Sequence, residues 1–225
     1  MQDSRRPYGG GGGGTVKHLV IVGAGGFGRE MFGAAREAVG FGTEFDIKGF
    51  LDAKSTALDG FAGYPPIVGS PDSYVPAADD VFITALGSIA SRRRCAETLE
   101  QKGAKFISII HRTATIGPNV VVGEGSFIAP HVSLTVDIAV GRHVLVFHSS
   151  SVGHDTVLGD FSHIYAQCSV GGAVKVGEGA AVYPGSVVAP RRKIGAGAVV
   201  GAGSAVFVDV DPGVTVLGNP AAPLK

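Results

Sequence analysis

The stretch SVGHDTVLGDFSHIYAQCSV, from Ser151 to Val170, decides the fold because an aliphatic residue returns at every sixth position. Continued in both directions, this step meets an aliphatic residue at sixteen consecutive positions, from Ile116 to Val206, and glycine follows nine of them. A helix of 3.6 residues per turn does not keep every sixth residue on one face, whereas short strands separated by regular turns can. The repeat therefore predicts a parallel β-helix with a core of stacked aliphatic side chains.

The pattern [LIV]-G-x-x-[STAV]-x resembles the left-handed β-helix of the hexapeptide-repeat acyltransferases. Three hexads then form one triangular coil, so residues 18 apart stack at a spacing of about 4.8 Å. This places His154 against Gly172 and His148 against Ala166. His163 follows His154 by nine residues, which is half a coil. We therefore expect the two histidines to meet only across a subunit boundary, as in a homotrimer.

A different pattern precedes the repeat. The stretch KHLVIVGAGGFGRE, residues 17–30, predicts a buried strand, a glycine turn and the start of a helix, with G-x-G-x-x-G spacing at Gly23, Gly25 and Gly28. Such a turn lets the backbone approach a phosphate at the helix N-terminus. The next strand ends at Asp52, which is placed to hold a ribose hydroxyl. The alternative is that the glycines serve only the packing of helix against sheet.

The length of this first region limits its ligand. A third strand, residues 80–87, leads into a helix from about residue 88 to residue 103. With about 90 residues, the region is too short for a full dinucleotide domain of two βαβαβ halves. It predicts a Rossmann-like half domain that binds a single nucleotide.

Composition excludes several functional classes. The 19 basic and 19 acidic residues give no net charge, which is not the surface of a nucleic-acid-binding protein. The densest basic cluster, SRRRC at residues 91–95, is interpreted as the solvated face of a helix. No apolar stretch of about 18 residues predicts a membrane span, and no signal-peptide core is present. Two cysteines form no disulfide framework, so we expect a cytoplasmic protein.

Together these features resemble one family, the bacterial sugar acetyltransferases of the sialic-acid O-acetyltransferase-like type. Its best-understood members are nucleotide-amino-sugar N-acetyltransferases. The motifs that carry the resemblance are GAGGFGRE, GFLD, ALG, SIIHRTATIG, SVGHDTVLGDFSH and VLGNPAAPL. The resemblance implies an acetyl-CoA-dependent enzyme, with no metal, that acetylates the amine of a nucleotide-linked amino sugar. It divides the chain into a flexible Gly-rich tail (1–15), a Rossmann-like nucleotide-sugar-binding domain (16–108) and a left-handed β-helix acetyltransferase domain (109–225).

The resemblance also implies roles for single residues. His154 is the expected general base, and Asp155 orients its ring. His163 is expected to contact acetyl-CoA bound at the neighbouring subunit, and the other expected cofactor contacts are Gly172, Pro184 and Ala202. The expected substrate contacts lie in the first domain and are Gly25, Gly26, Phe27, Asp52, Ala53 and Gly87.

Two departures from the family pattern leave the identity of the sugar open. Seven residues before the expected base, relatives commonly carry Asn, whereas this chain has Phe147. The polar contact is then lost or supplied by His148 or Ser149. In the glycine turn, Phe27 stands where several amino-sugar enzymes have His.

Alternatives to the expected chemistry also remain open. The acetyl acceptor could be a hydroxyl of sialic acid or of another sugar. Cys168 could act as a covalent nucleophile, although its place in the hexad favours packing. His148, His154 and His163 could bind zinc between subunits, as in γ-carbonic-anhydrase-like proteins. The coil could also be a non-catalytic trimeric scaffold.

Overall fold

The computed structural model describes residues 16–224. The chain divides into two units between Ile109 and Ile110, one residue from the predicted domain boundary. We call residues 16–109 the N-terminal unit and residues 110–224 the C-terminal unit. The predicted Gly-rich tail, residues 1–15, lies outside the described residues.

The N-terminal unit is a five-stranded parallel sheet with two helices. Its elements are β1 (Lys17–Val22), α1 (Gly26–Ala35), β2 (Phe45–Leu51), β3 (Ile67–Gly69), β4 (Asp80–Thr84), α2 (Ile89–Glu100) and β5 (Lys105–Phe106). The order in the sheet is β3-β2-β1-β4-β5, with every neighbouring pair parallel. This is the arrangement of a Rossmann-type half, in which ligands bind at the carboxyl ends of the strands.

A buried carboxylate fixes the segment between β3 and β4. Asp80 accepts hydrogen bonds from Lys48 Nζ at 2.7 Å, from the Tyr74 hydroxyl at 2.7 Å and from the Ala77 N–H at 2.9 Å. Burial alone would raise the pKa of Asp80, but these hydrogen bonds lower it below its ordinary value. The charged carboxylate therefore holds this segment against the start of β4.

The C-terminal unit is a parallel β-helix. Its first strand, β6 (Ile109–Ile110), begins at the unit boundary. Within the described chain, sixteen two-residue strands follow, and each ends on one of the sixteen aliphatic residues of the repeat. They are β7 (Thr115–Ile116), β8 (Val121–Val122), β9 (Phe127–Ile128), β10 (Ser133–Leu134), β11 (Ala139–Val140), β12 (Leu145–Val146), β13 (Ser151–Val152), β14 (Val157–Leu158), β15 (His163–Ile164), β16 (Ser169–Val170), β17 (Lys175–Val176), β18 (Ala181–Val182), β19 (Val187–Val188), β20 (Lys193–Ile194), β21 (Val199–Val200) and β22 (Ala205–Val206).

Three sheets form the sides of this prism. Every third strand pairs in parallel with a register offset of 18 residues, as in Leu134↔Val152 and Val152↔Val170. The strands β23 (Thr215–Gly218) and β24 (Ala221–Pro223) complete one of the three sheets. The predicted 18-residue coil and left-handed β-helix are thereby confirmed.

The glycines that directly follow the aliphatic residues have a packing role in the coils. The left-handed backbone conformation occurs three positions after the aliphatic residue, where ten non-glycine residues adopt φ between 55° and 62°. A Cβ on Gly153, directly after Val152, would lie 2.6 Å from the Gly172 nitrogen of the next coil. The glycines directly after the aliphatic residues do not adopt this left-handed conformation. They allow neighbouring coils to stack closely.

Candidate active site

His154 and Asp155 form a hydrogen-bonded pair at the corner that follows β13. Asp155 adopts φ 59°, and its Oδ2 lies 2.7 Å from His154 Nδ1. An ionised carboxylate only accepts, so Nδ1–H donates and Nε2 keeps its lone pair. Both side chains are 63% exposed. The pair can therefore take a proton from a molecule that arrives from solvent.

Gly172 lies against the His154 ring on the next coil, as the 18-residue stacking predicts. A Cβ on Gly172 would lie 2.5 Å from His154 Nε2. The backbones of the two coils are also joined, since the Ala173 N–H donates to the His154 carbonyl at 2.6 Å. The absence of a side chain at Gly172 thus determines where the ring of the candidate base can lie.

His163 lies in a different sheet from the His154 corner. In β15 it pairs with Leu145 and Ala181, and it is only 1% exposed. Its ring stacks on Tyr165 with 3.7 Å between centroids. A single chain therefore does not bring His154 and His163 together.

Apart from His163, the predicted cofactor residues divide between two corners of the prism. Pro184 and Ala202 are both exposed and occupy the same corner on successive coils, where the Gly203 N–H donates to the Pro184 carbonyl at 2.9 Å. Gly172 belongs with His154 to the next corner along the chain.

Cys168 is a packed residue of the coil. It is 2% exposed, and its Sγ donates to the Tyr183 carbonyl at 3.1 Å. Burial raises the pKa of the Cys168 thiol, which keeps it protonated and weakly nucleophilic. These contacts support the packing interpretation over the covalent one.

A cleft of about 170 Å³ opens at the carboxyl ends of β1, β2 and β4 in the N-terminal unit. Asp52 Oδ2 accepts from the Ala24 N–H at 2.8 Å and Oδ1 accepts from the Lys54 N–H at 2.9 Å, so this carboxylate ties the glycine turn to the end of β2. Of the predicted substrate residues, Asp52 and Ala53 line the cleft. The others are not among its lining residues: Gly25, Gly26, Phe27 and Gly87.

The glycines of the turn have two different roles. Gly23 adopts φ 108°, and a Cβ on Gly28 would collide with the Gly23 carbonyl oxygen. By contrast, a Cβ on Gly25 or Gly26 meets nothing within 4 Å. Packing therefore explains Gly23 and Gly28. It does not explain Gly25, which stands at the N-terminus of α1 with open space beside it.

Known proteins are similar to this chain in both units. The family model of the PglD N-terminal domain matches residues 18–99. UDP-N-acetylbacillosamine N-acetyltransferase from Bacillus subtilis (strain 168) is 32% identical over 117 residues, which are 50% of this chain and 51% of that protein. The match thus spans about half the length of this curated relative.

Solved structures match over nearly the whole chain. WeeI from Acinetobacter baumannii AYE is 30% identical with a TM-score of 0.81, and the match covers 93% of this chain and 100% of that one. The chain belongs to the hexapeptide-repeat sugar acetyltransferases. PerB from Caulobacter crescentus, in complex with CoA and GDP-perosamine, is 26% identical with a TM-score of 0.83, and the match covers 94% of this chain and 99% of PerB. The resemblance seen in the motifs is confirmed.

The chain has an aromatic column at the first departure from the family pattern. Phe147 lies with its ring centroid 5.0 Å from that of His163 and 6.1 Å from that of Tyr165. Tyr165 in turn stacks on Tyr183 at 4.5 Å. Phe147 therefore contributes aromatic packing at the position where relatives commonly have a polar amide.

The basic cluster at residues 91–95 is only partly a solvated helix face. Arg92 is fully buried and donates from Nη1 to the Leu86 carbonyl at 3.4 Å. Arg94 lines the cleft together with Ser91 and Cys95. The sequence interpretation is wrong for Arg92, and it missed Arg94 as a cleft residue. The i, i+3, i+4 spacing of Ser91, Arg94 and Cys95 on α2 is the signal that could have identified this face.

Two features are absent from residues 16–224, a metal-binding cluster and a membrane-spanning helix. No group of three or more His, Cys, Asp or Glu side chains in this range is placed to hold a metal ion. No helix in it has both the length and the apolar character needed to cross a membrane.

Proposed function

We propose that this protein transfers the acetyl group of acetyl-CoA to the amine of a nucleotide-linked amino sugar. The observation that carries the proposal is the exposed His154 ring, held by Asp155 at 2.7 Å with Nε2 turned away from that carboxylate. The relatives support the choice of substrates. One is an N-acetyltransferase named for a UDP-linked sugar, and another holds CoA and GDP-perosamine.

The proposed step is a direct acyl transfer. The amine nitrogen attacks the thioester carbonyl carbon, so that a C–N bond forms and the C–S bond breaks. His154 Nε2 accepts the amine proton and delivers it to the departing CoA sulfur. Asp155 holds Nδ1–H, which fixes the tautomer and stabilises the ring while it is positively charged. The step needs no metal ion and no acyl-enzyme.

A substrate panel tests the proposal. Acetyl-CoA turnover is measured with UDP-, GDP- and dTDP-linked amino sugars and with free sialic acids. We expect a nucleotide-linked amino sugar to be the preferred acceptor and its product to contain an amide. A preference for free sialic acid, or an ester product, would contradict the proposal.

We also propose that the protein works in the cytoplasm. Cys95 and Cys168 are its two cysteines, and both are free thiols in buried positions. Free thiols fit a reducing compartment.

We propose a homotrimer whose sites lie between subunits. His154 and His163 are half a coil apart, and the predicted cofactor contacts occupy two corners of the prism. His154→Ala and His163→Ala subunits should each form inactive trimers, because each lacks one side of every site. Trimers assembled from both variants should regain activity, since some boundaries then combine an intact His154 with an intact His163.

Light scattering and activity of separated mixed oligomers measure this outcome. Both variants must first show the oligomer size and melting temperature of the wild type. An active monomer, or mixed trimers without activity, would contradict the shared site.

Gly172→Ala should lower kcat roughly tenfold, because the added Cβ displaces the His154 ring from its place. The melting temperature should change little, since the exposed ring can rotate away. Alanine also fits this hexad position, which is Ala166 and Ala196 in other coils. Steady-state kinetics and thermal unfolding test the prediction. A wild-type kcat would show that the ring position set by Gly172 is not needed.

A further inference from the structure

Two opposite charges line the cleft of the N-terminal unit without pairing. Arg94 belongs to α2 and Asp72 to the segment after β3, and both side chains are exposed. No ion pair among residues 16–224 includes either of them. A cation and an anion that share one cleft and do not neutralise each other are both available to a ligand.

Arg94, Asp72 and the Cys95 thiol line the same cleft. Burial raises the pKa of Cys95, Arg94 lowers it, and Asp72 raises it. Both charges therefore act on the same buried group in the wall of the cleft. Because both side chains line one cleft of about 170 Å³, a single small molecule bound there can contact the donor and the acceptor.

The Asp52 carboxylate already accepts hydrogen bonds from the backbone. Both of its carboxylate oxygens accept backbone N–H groups, at 2.8 Å from Ala24 and at 2.9 Å from Lys54. Its place beside the glycine turn fits the ribose end of a nucleotide. Arg94 and Asp72 are therefore available to contact the part of the nucleotide beyond the ribose.

Lys102 fixes the backbone that carries Asp72. Its Nζ donates to three carbonyl oxygens, those of Pro71 at 3.0 Å, Asp72 at 2.5 Å and Tyr74 at 3.3 Å. Such a clamp holds the segment in place before a ligand arrives, which lowers the entropy cost of binding.

We propose that Arg94 and Asp72 bind the base of the nucleotide. Arg94 donates to a ring carbonyl oxygen, and Asp72 accepts from the adjacent ring N–H. Guanine and uracil both present this carbonyl and N–H side by side, whereas adenine has no carbonyl. The inference rests on the proposed function, in which the acceptor is nucleotide-linked; it places that nucleotide in the N-terminal unit and adds the residues that select a keto base.

Isothermal titration of the full chain with GDP, UDP and ADP tests the inference. Saturating CoA is present so that ADP cannot occupy the donor site. We expect the wild type to bind GDP or UDP at least tenfold more tightly than ADP. Arg94→Met should weaken the binding of GDP or UDP about 10- to 100-fold and leave the binding of ADP nearly unchanged. Asp72→Asn and Lys102→Met should each weaken the binding of GDP or UDP by a smaller factor.

Arg93→Met is the matched control, because Arg93 lies on the same helix and is not among the residues that line the cleft. It should bind as the wild type does, and thermal unfolding shows that each variant is folded. Equal loss of GDP, UDP and ADP in Arg94→Met would show that Arg94 binds phosphate and would overturn the inference, as would unchanged affinity or a wild type that prefers ADP.

The outcome is separable from that of the proposed function, because affinity is measured without acetyl transfer. A protein that binds GDP or UDP through Arg94 but acetylates no nucleotide-linked sugar contradicts the proposed function alone. A protein that acetylates such a sugar and does not depend on Arg94 contradicts this inference alone.

Discussion

Replacing His154 with alanine should lower kcat by about 10²- to 10⁴-fold, the usual contribution of a general base. The amine must lose a proton as it attacks the thioester, and His154 Nε2 is the acceptor that the Asp155 contact leaves open. The coil should remain folded, since the side chain is 63% exposed and its backbone keeps the bond from Ala173. Steady-state kinetics, with acetyl-CoA binding measured separately, tests the prediction.

Asp155→Asn is the matched control for this pair. Asn tolerates the left-handed backbone, and Asn119 already occupies the equivalent corner at φ 57°. The substitution removes the charge behind the ring without removing the base, so its loss of kcat should be smaller. Cys168→Ala should retain most of the activity. Full activity in His154→Ala, or an acetylated Cys168 found by mass spectrometry, would require another mechanism.

The β-helix could be predicted from the sequence because its rule is local and repeats. Each coil depends on the same six-residue pattern, so Val152 and Leu158 report the same geometry as their fourteen equivalents. The N-terminal sheet has no such repetition. Its edge strands β3 and β5 are three and two residues long, too short for a hydrophobic period to identify them.

The residues of the candidate sites also differ in how well the sequence predicts their positions. His154 and Asp155 are neighbours in sequence, and Gly172 is one coil further on, so the repeat itself places all three. Arg94 and Asp72 come from separate elements, and only the packing of α2 beside the segment after β3 brings them to one cleft. The spacing of Ser91, Arg94 and Cys95 puts them on one face of α2, but it does not show that Asp72 lies at the same cleft.

A substitution in the glycine turn should have the second large effect, a loss of stability of the N-terminal unit. Gly28→Ala should destabilise the N-terminal unit by about 3 kcal/mol. Its Cβ would collide with the Gly23 carbonyl oxygen, and backbone cannot move aside as a flexible side chain can. Gly23 itself has φ 108°, and a Cβ built on it would lie 2.8 Å from the Ala85 carbonyl oxygen, so this turn is closely packed against the sheet and the strain would spread into it. Denaturant unfolding of the full chain, followed by a probe in this unit, measures the loss.

Gly25→Ala is the matched substitution three residues earlier. Its Cβ meets nothing within 4 Å, and the extended backbone of Gly25, with φ −70° and ψ −163°, accepts alanine. Stability should therefore stay within about 0.5 kcal/mol of the wild type. If the backbone at Gly25 approaches the nucleotide, the KM for the nucleotide-linked sugar should rise while the KM for acetyl-CoA stays the same. A Gly25→Ala protein with unchanged stability and an unchanged KM for the sugar would show that this glycine serves neither packing nor binding.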